Sequence, residues 1–262
     1  MQNAREARER RRYVAHTLRP GVQMPDWSLV SSQLARQALD ATFAVADRYW
    51  KWARLGDQED RVWRAILEGF AATGRPPGTA AIADTTRLSP GAVSTALDQL
   101  RTRDLIVRAA DTDALTAAYP FCAWPSGHRV RWDGAAANAL CAIDALGMGA
   151  MLGRDTTIEA GCRRCGAPIQ VETRRRGMEL ATASPATSVV WCGIAYAGNC
   201  GATSGCTLKV FFCSDEHLHA WRDDGCSAGE GFRLSLEEAH QVGRAMFAPM
   251  LRQPVLRPGR IA

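Results

Sequence analysis

The apolar positions of this chain change rhythm three times, and each change predicts a different kind of structure. From Asn138 to Leu152, NALCAIDALGMGAML, the run is apolar with helical spacing and holds a single charge, Asp144. If the whole run is helical, Cys141, three residues earlier, projects from the same face one turn away. Upstream, residues 3–17 are rich in Ala, Arg and Glu and predict a helix, broken by Gly21 and Pro25. A second helix is expected from Asp26 or Ser31 to about Arg54, with Leu34, Leu39, Phe43, Val45, Tyr49 and Trp52 as its apolar stripe and Gly56 as its stop.

From Asp57 the rhythm shortens. Helices are expected over Gln58–Ala72, Thr79–Thr86 and Pro90–Arg103. Ser89 supplies the cap of the last and Pro90 its first position. Leu105–Arg108 and Ala114–Thr116 read as a hairpin around Asp111-Thr112-Asp113. Three helices and a two-stranded wing give a winged-helix pattern. Tyr119–Val130 is a loop and strand punctuated by Pro120, Pro125 and Gly127. Beyond the apolar run the pattern turns strand-like: Thr156–Ala160, Ile169–Thr173, Val189–Tyr196 and Thr207–Phe212, then a helix beginning at Asp215–Trp221. The fold class expected is α+β, with a helical N-terminal extension (1–56), a winged-helix-like domain (57–118) and a mixed-sheet, treble-clef-like domain (119–262).

Composition narrows the function classes. At 262 residues, 47% of them apolar and 23% charged, the chain is an ordinary globular protein with room for a large core. The net charge of +5 is mild, and Arg5, Arg8, Arg10, Arg11 and Arg12 crowd into one arm. That arm is a solvated face or flexible segment before it is a nucleic-acid contact. The helix from Pro90 carries basic residues only at its end, Arg101 and Arg103, which disfavours major-groove reading and leaves a structural or gating role. No signal peptide or membrane-length run is visible, so the expected location is cytoplasmic. Nine cysteines, an odd number in a chain that looks unexported, point to free thiols or metal ligands rather than a disulfide framework.

Seven of those cysteines fall from position 162 onward. Cys162-x-x-Cys165-Gly166 on a tight turn, with Cys213 and His217 at a strand-to-helix junction, is the treble-clef arrangement for a tetrahedral zinc site. Sulfur and nitrogen donors suit zinc, and a closed set of four would be structural. The other reading is the same shape without metal, its thiols merely buried. His219 is a weaker ligand candidate than His217. Asp144 has two readings as well. A carboxyl held in an apolar helix is pushed toward neutrality and can carry a proton near pH 7. Or it reaches water, or caps a neighbour, beside a core cysteine.

The stretch ALCAIDALGMGAMLGRDTTIEAGCRRCGAPIQVE, then GCTLKVFFCSDEHLHAW, preceded by AYPFCAWPSGHRV, resembles the organomercurial (alkylmercury) lyase family over about residues 58–250. The resemblance rests on Cys141, on Asp144 and on Cys206, a cysteine shortly before the FF-containing strand end. It implies that these three are catalytic: Cys141 and Cys206 bind the mercury of substrate and product, and Asp144 moves the proton. It implies no organic cofactor, a small organomercurial substrate, and soluble thiols or a mercuric reductase as acceptors of Hg(II). Prototypical members lack the CRRCG and FFCSDEH pairs, and some carry a second cysteine where this chain has Thr207. Cys192, Cys200 and Cys226 receive no role. Two alternatives stand beside the lyase: an enzyme of the same scaffold cleaving another carbon–heteroatom or carbon–metalloid bond, and a zinc-stabilised winged-helix metal-responsive regulator.

Overall fold

A computed structural model describes residues 13–198, 200–224 and 229–252. The Arg-rich arm and Cys226 lie outside the described residues. The fold is mixed α+β, with three antiparallel sheets among the described residues. β1 (His16–Arg19) and β2 (Val22–Met24) form a short hairpin. Helices α1 (Gln33–Val45), α2 (Arg48–Lys51), α3 (Asp57–Thr73), α4 (Thr79–Thr86) and α5 (Pro90–Thr102) follow. The largest sheet has eight strands: β3 (Ile106–Arg108), β4 (Leu115–Ala118), β5 (Phe121–Cys122), β6 (His128–Trp132), β7 (Ala135–Ala139), β8 (Thr157–Gly161), β9 (Pro168–Arg174) and β10 (Glu179–Ser184). Their spatial order is β10-β9-β8-β6-β7-β5-β4-β3, so hydrogen bonding runs without a break across position 118.

The third sheet, β12-β11-β13, is built from β11 (Val189–Gly193), β12 (Lys209–Phe212) and β13 (Gly231–Ser235). Helix α6 (Ala142–Leu152) packs on β6 and β7 of the large sheet, on β12 of the small one and on α8 (Leu236–Phe247). It is therefore buried on nearly every side, which is why its sequence is apolar all round rather than striped. Helix α7 (Asp215–Asp223) leaves the end of β12.

Several expected elements differ from those observed. His16 and Thr17, at the end of the helix expected over 3–17, open the strand His16–Arg19 instead. Leu18 is buried there, and the Arg19 guanidinium reaches the Met250 carbonyl and, at 2.9 Å, Asp60, so tertiary contacts override helix propensity. The long helix expected to reach Arg54 stops at Val45, and Asp47 takes a left-handed conformation (φ 52°) before α2. The helix expected from Asn138 starts only at Ala142. Asn138 and Ala139 pair with β5 and β6 as a strand, and Cys141 is the N-cap, with extended backbone. Thr207 and Leu208, expected in a strand, lie instead in a 3-10 turn (Cys206–Leu208) ahead of β12. The expectations stop at Trp221, whereas β13 and α8 follow, α8 opening on a capping box of Ser235 and Glu238.

Two glycines set the α6–α8 crossing. A Cβ on Gly147 would lie 2.4 Å from the Gly243 carbonyl oxygen, and one on Gly243 would lie 2.7 Å from both the Gly147 nitrogen and the Ile143 carbonyl oxygen. Backbone meets backbone here, so no side-chain rotation relieves an added methyl. Gly243→Ala should cost about 2–4 kcal/mol in denaturant unfolding. Gly91→Ala, at an exposed helical position with nothing within 4 Å of the new Cβ, should be neutral or slightly stabilising.

Candidate active site

The site starts from a poor helix cap. Ser, Thr, Asp and Asn satisfy the first free N–H groups of a helix, whereas a thiol hardly does. At the start of α6 the cap is Cys141, whose side chain makes no capping hydrogen bond. The N-terminal amides and the helix dipole are thus left to favour negative charge nearby. Asp144 stands at the third helical position of that turn, and the Cys141 thiol donates to its Oδ2. From across the fold, at the turn before β12, the Cys206 thiol donates to the same oxygen at 3.7 Å. Cys141, Asp144 and Cys206 are all buried, and their ligating atoms lie within 4.8 Å of one another. Cys141 and Cys206, distant in sequence, therefore share one carboxylate oxygen.

Burial governs the electrostatics. It pushes the Asp144 carboxyl up to about 6, against the lowering effects of the Cys141 hydrogen bond, Lys209, Arg48 and the Cys206 hydrogen bond. It also raises the Cys141 thiol well above its ordinary value, and contact with Cys206 and the Asp144 charge add to that, while Lys209 opposes it. At neutral pH Cys141 is thus protonated and Asp144 is an ionised acceptor close to its own titration point.

Sequence reading missed the cationic surround. Lys209 is buried, its Nζ donating to the carbonyls of Gly193 (2.9 Å) and Gly205 (3.2 Å). Arg48 is buried with its Nη1 on the Thr42 carbonyl (2.7 Å) and its guanidinium over the Tyr119 ring. A signal for Lys209 existed: the chain has only two lysines, and this one interrupts an apolar strand. Arg48 is one arginine among many and could not have been picked out.

A cavity of about 480 Å³ opens beside the site, with Cys206 and Thr207 on one wall and Trp124, His128, Leu140 and Cys162 on the others. That volume holds a small molecule. Burial holds the His128 imidazole down at about 4, so it is neutral, and its Nδ1 has no protein partner.

The other sequence-expected set also assembles. Cys162, Cys165, Cys213 and His217 bring their ligating atoms within 4.8 Å of one another, and His219 is outside the group. Of the cysteines given no role, Cys192 is buried 3.8 Å from the Thr42 hydroxyl, and Cys200 is partly exposed; neither joins a cluster among the described residues. Cys122 donates to the Trp124 carbonyl at 3.4 Å.

A mixed α+β fold around a buried thiol–carboxyl–thiol centre defines the class. Residues 121–248 match the alkylmercury lyase (MerB) family model. An alkylmercury lyase of Bacillus cereus is 30% identical over 122 residues, 47% of this chain and 54% of that protein. The alkylmercury lyase of Streptomyces lividans is 27% identical over 199 residues, 72% of this chain and 83% of the relative. A crystal structure of the mercury-bound form of MerB2 superposes with a TM-score of 0.65 at 22% identity, covering 84% of this chain and 100% of that one, a likeness of fold. The chain is thus similar to the alkylmercury lyase family over residues 121–248, about half of its length. It spans about half the length (54%) of the Bacillus cereus relative and of a Clostridium butyricum one.

The raised Asp144 carboxyl carries a stability consequence. The folded chain keeps this proton up to about pH 6, whereas the unfolded chain releases it near the ordinary 3.8. Between those values the folded state binds more protons, so stability falls as pH rises and then levels off. The gap between the two values corresponds to about 3 kcal/mol. Asp144→Asn should flatten that fall and be more stable than the parent at pH 7–8, measured by urea unfolding from pH 4 to 8.

Proposed function

We propose that the chain is an organomercurial lyase, cleaving carbon–mercury bonds by protonolysis to a hydrocarbon and Hg(II). One observation carries the reading: two thiols and a near-neutral carboxyl, from distant parts of the chain, meet at a single oxygen beside a cavity of substrate size. The likeness to alkylmercury lyases supports the same chemistry.

The steps follow from the residue types. Thiolate is the softest side-chain donor, matched to mercury. One thiol exchanges with the ligand X of R–Hg–X, and its proton leaves with X. Asp144 takes the proton of the second thiol as that sulfur joins the metal. Two sulfurs on mercury push electron density toward carbon. Asp144 then returns its proton to that carbon; the C–Hg bond breaks, R–H leaves, and Hg(II) stays on Cys141 and Cys206. One acid thus acts first as base and then as acid, a cycle suited to a carboxyl poised near pH 6. Lys209 and Arg48 lower the cost of negative charge accumulating on the sulfurs. Soluble thiols, or a mercuric reductase, are the acceptors that clear the product.

A regulator that reads DNA is disfavoured by the helix that would have to do so. At the end of α5, Arg103 turns inward to Glu59 (2.7 Å) and to the carbonyls of Lys51 and Ala53, and Arg101 lies 3.9 Å from both Asp98 and Asp113. No helix among the described residues is long and apolar enough to cross a membrane.

Purified protein given methyl- or phenylmercury and excess thiol should release methane or benzene. Cys141→Ser, Asp144→Ala and Cys206→Ser should each reduce the rate by about a thousandfold or more. Turnover that persists in all three variants would overturn the assignment. In the parent, kcat/KM should fall as pH drops through about 6, because Asp144 must start ionised.

A further inference from the structure

The chain holds a second group of soft ligands that this chemistry leaves unused. Cys162 and Cys165 sit on the turn between β8 and β9, Cys213 follows β12, and His217 lies in the first turn of α7. The turn is tightly built. The Cys162 amide donates to the Ala167 carbonyl (2.8 Å), the Gly166 amide to the Cys162 carbonyl (2.8 Å), and Gly166 takes the left-handed conformation (φ 73°) that a side chain would disfavour. A further bond, from the Arg163 amide to the Phe211 carbonyl (2.9 Å), ties this turn to the end of β12. On the other side, Ser214 caps α7 through the His217 amide and fixes the imidazole's starting point.

Two of three ligand separations match those around one tetrahedral ion, and the third is shorter. Cys165 Sγ and Cys213 Sγ are 3.8 Å apart, Cys162 Sγ and His217 Nδ1 are 3.7 Å apart, and Cys213 Sγ and His217 Nδ1 are 2.9 Å apart. A tetrahedral zinc with Zn–S of ~2.3 Å and Zn–N of ~2.0 Å separates its sulfurs by ~3.8 Å and sulfur from nitrogen by ~3.5 Å. The sulfur pair is far beyond the ~2.05 Å of a disulfide, and all four residues offer free ligand atoms. The donor set contains no carboxylate, which selects against magnesium and calcium. Four protein ligands also leave no coordination position for substrate or water.

We propose that Cys162, Cys165, Cys213 and His217 hold a structural Zn2+, distinct from the thiol–carboxyl–thiol centre, that clamps the β8–β9 turn to the β12–α7 junction. The clamp bears on the catalytic centre through two connections. Cys206 ends the loop that leads directly into β12, the strand whose far end the clamp grips. Cys162 also lines the same cavity as Cys206. The zinc thus holds one wall of the substrate cavity in place while taking no part in the chemistry.

The test is metal content, which does not depend on the lyase reading. Full-length protein purified in reducing, chelator-free buffer should contain about one zinc per chain by elemental analysis. Cys165→Ser and Cys213→Ser should lose most of it, whereas Cys141→Ser and Cys206→Ser should keep it. Reconstitution with Co2+ should give the intense visible bands of a tetrahedral thiolate site and a sulfur-to-cobalt charge-transfer band. If the knot variants do not fold, zinc release from the parent on titration with a mercury-free thiol-blocking reagent such as a methanethiosulfonate reads the thiolate ligation instead. Folded parent that contains no zinc and takes up none when it is supplied would overturn the proposal. So would zinc that survives Cys165→Ser and Cys213→Ser but vanishes with Cys141→Ser. A zinc-loaded chain without turnover would count against the lyase alone, and a zinc-free chain with turnover against the clamp alone.

Discussion

The interaction on which the structure turns is the pair of thiol hydrogen bonds to one buried oxygen of Asp144. A carboxylate out of water costs several kcal/mol unless it is neutralised or well solvated by the protein. Here neither happens fully. Thiols are weak donors, and the compensating charges of Lys209 and Arg48 stand behind the site rather than in a salt bridge with the acid. The result is a group whose two protonation states are close in free energy near neutrality. A proton shuttle needs that balance, and a stability-optimised core would not have it.

Holding such a group in place requires rigid surroundings, and much of the fold serves that end. Helix α6 is closed in by two sheets and by α8, with Gly147 and Gly243 allowing their backbones to meet. Cys141 is fixed by its place at the junction of β7 and α6, so its backbone is set by the sheet on one side and the helix on the other. Cys206 is fixed differently. Its amide donates to the Gly201 carbonyl (2.8 Å) in a compact loop, and the Gly201 amide in turn donates to buried Asp104 (3.1 Å). A Cβ at Gly201 would come within 2.6 Å of both Arg48 and Tyr119, so this loop is pressed against the same cationic surround that tunes the acid.

What could be read in the sequence depended on how local the cause was. The start of α5 was legible because Ser89 and Pro90 determine it through capping chemistry alone. The Cys162–Cys165 turn and the Cys213–His217 junction were legible because their spacing is a local geometric requirement. The convergence of Cys206 on Cys141 came only through resemblance to a family, since no local pattern brings together residues so far apart. β1 was hidden because its strand form is imposed by Leu18 burial and by the Arg19 contacts to distant residues. The strand–cap–helix division of Asn138–Leu152 was hidden for a related reason. Alanine suits either state, and only pairing with β5 and β6 makes Ala135–Ala139 a strand. Lys209 and Arg48 were missed because a buried cation is recognised by what surrounds it.

Two soft clusters in one chain raise a question of selectivity, and their geometry supplies an answer. The cluster of Cys162, Cys165, Cys213 and His217 gathers four soft or borderline donors within 4.8 Å of one another, a number and type that zinc favours. The centre of Cys141, Asp144 and Cys206 offers two thiols and a carboxyl that is partly protonated near neutrality, too few soft donors to close a tetrahedral shell. Mercury needs only two sulfurs, so it gains most of its binding from the pair that zinc would occupy poorly. The difference in ligand number thus separates the metals where raw thiol affinity would not. Cys162 and Cys206 face one cavity, so on the two proposals taken together, removal of Hg(II) by external thiols would protect the zinc ligands as well as free the Cys141–Cys206 pair.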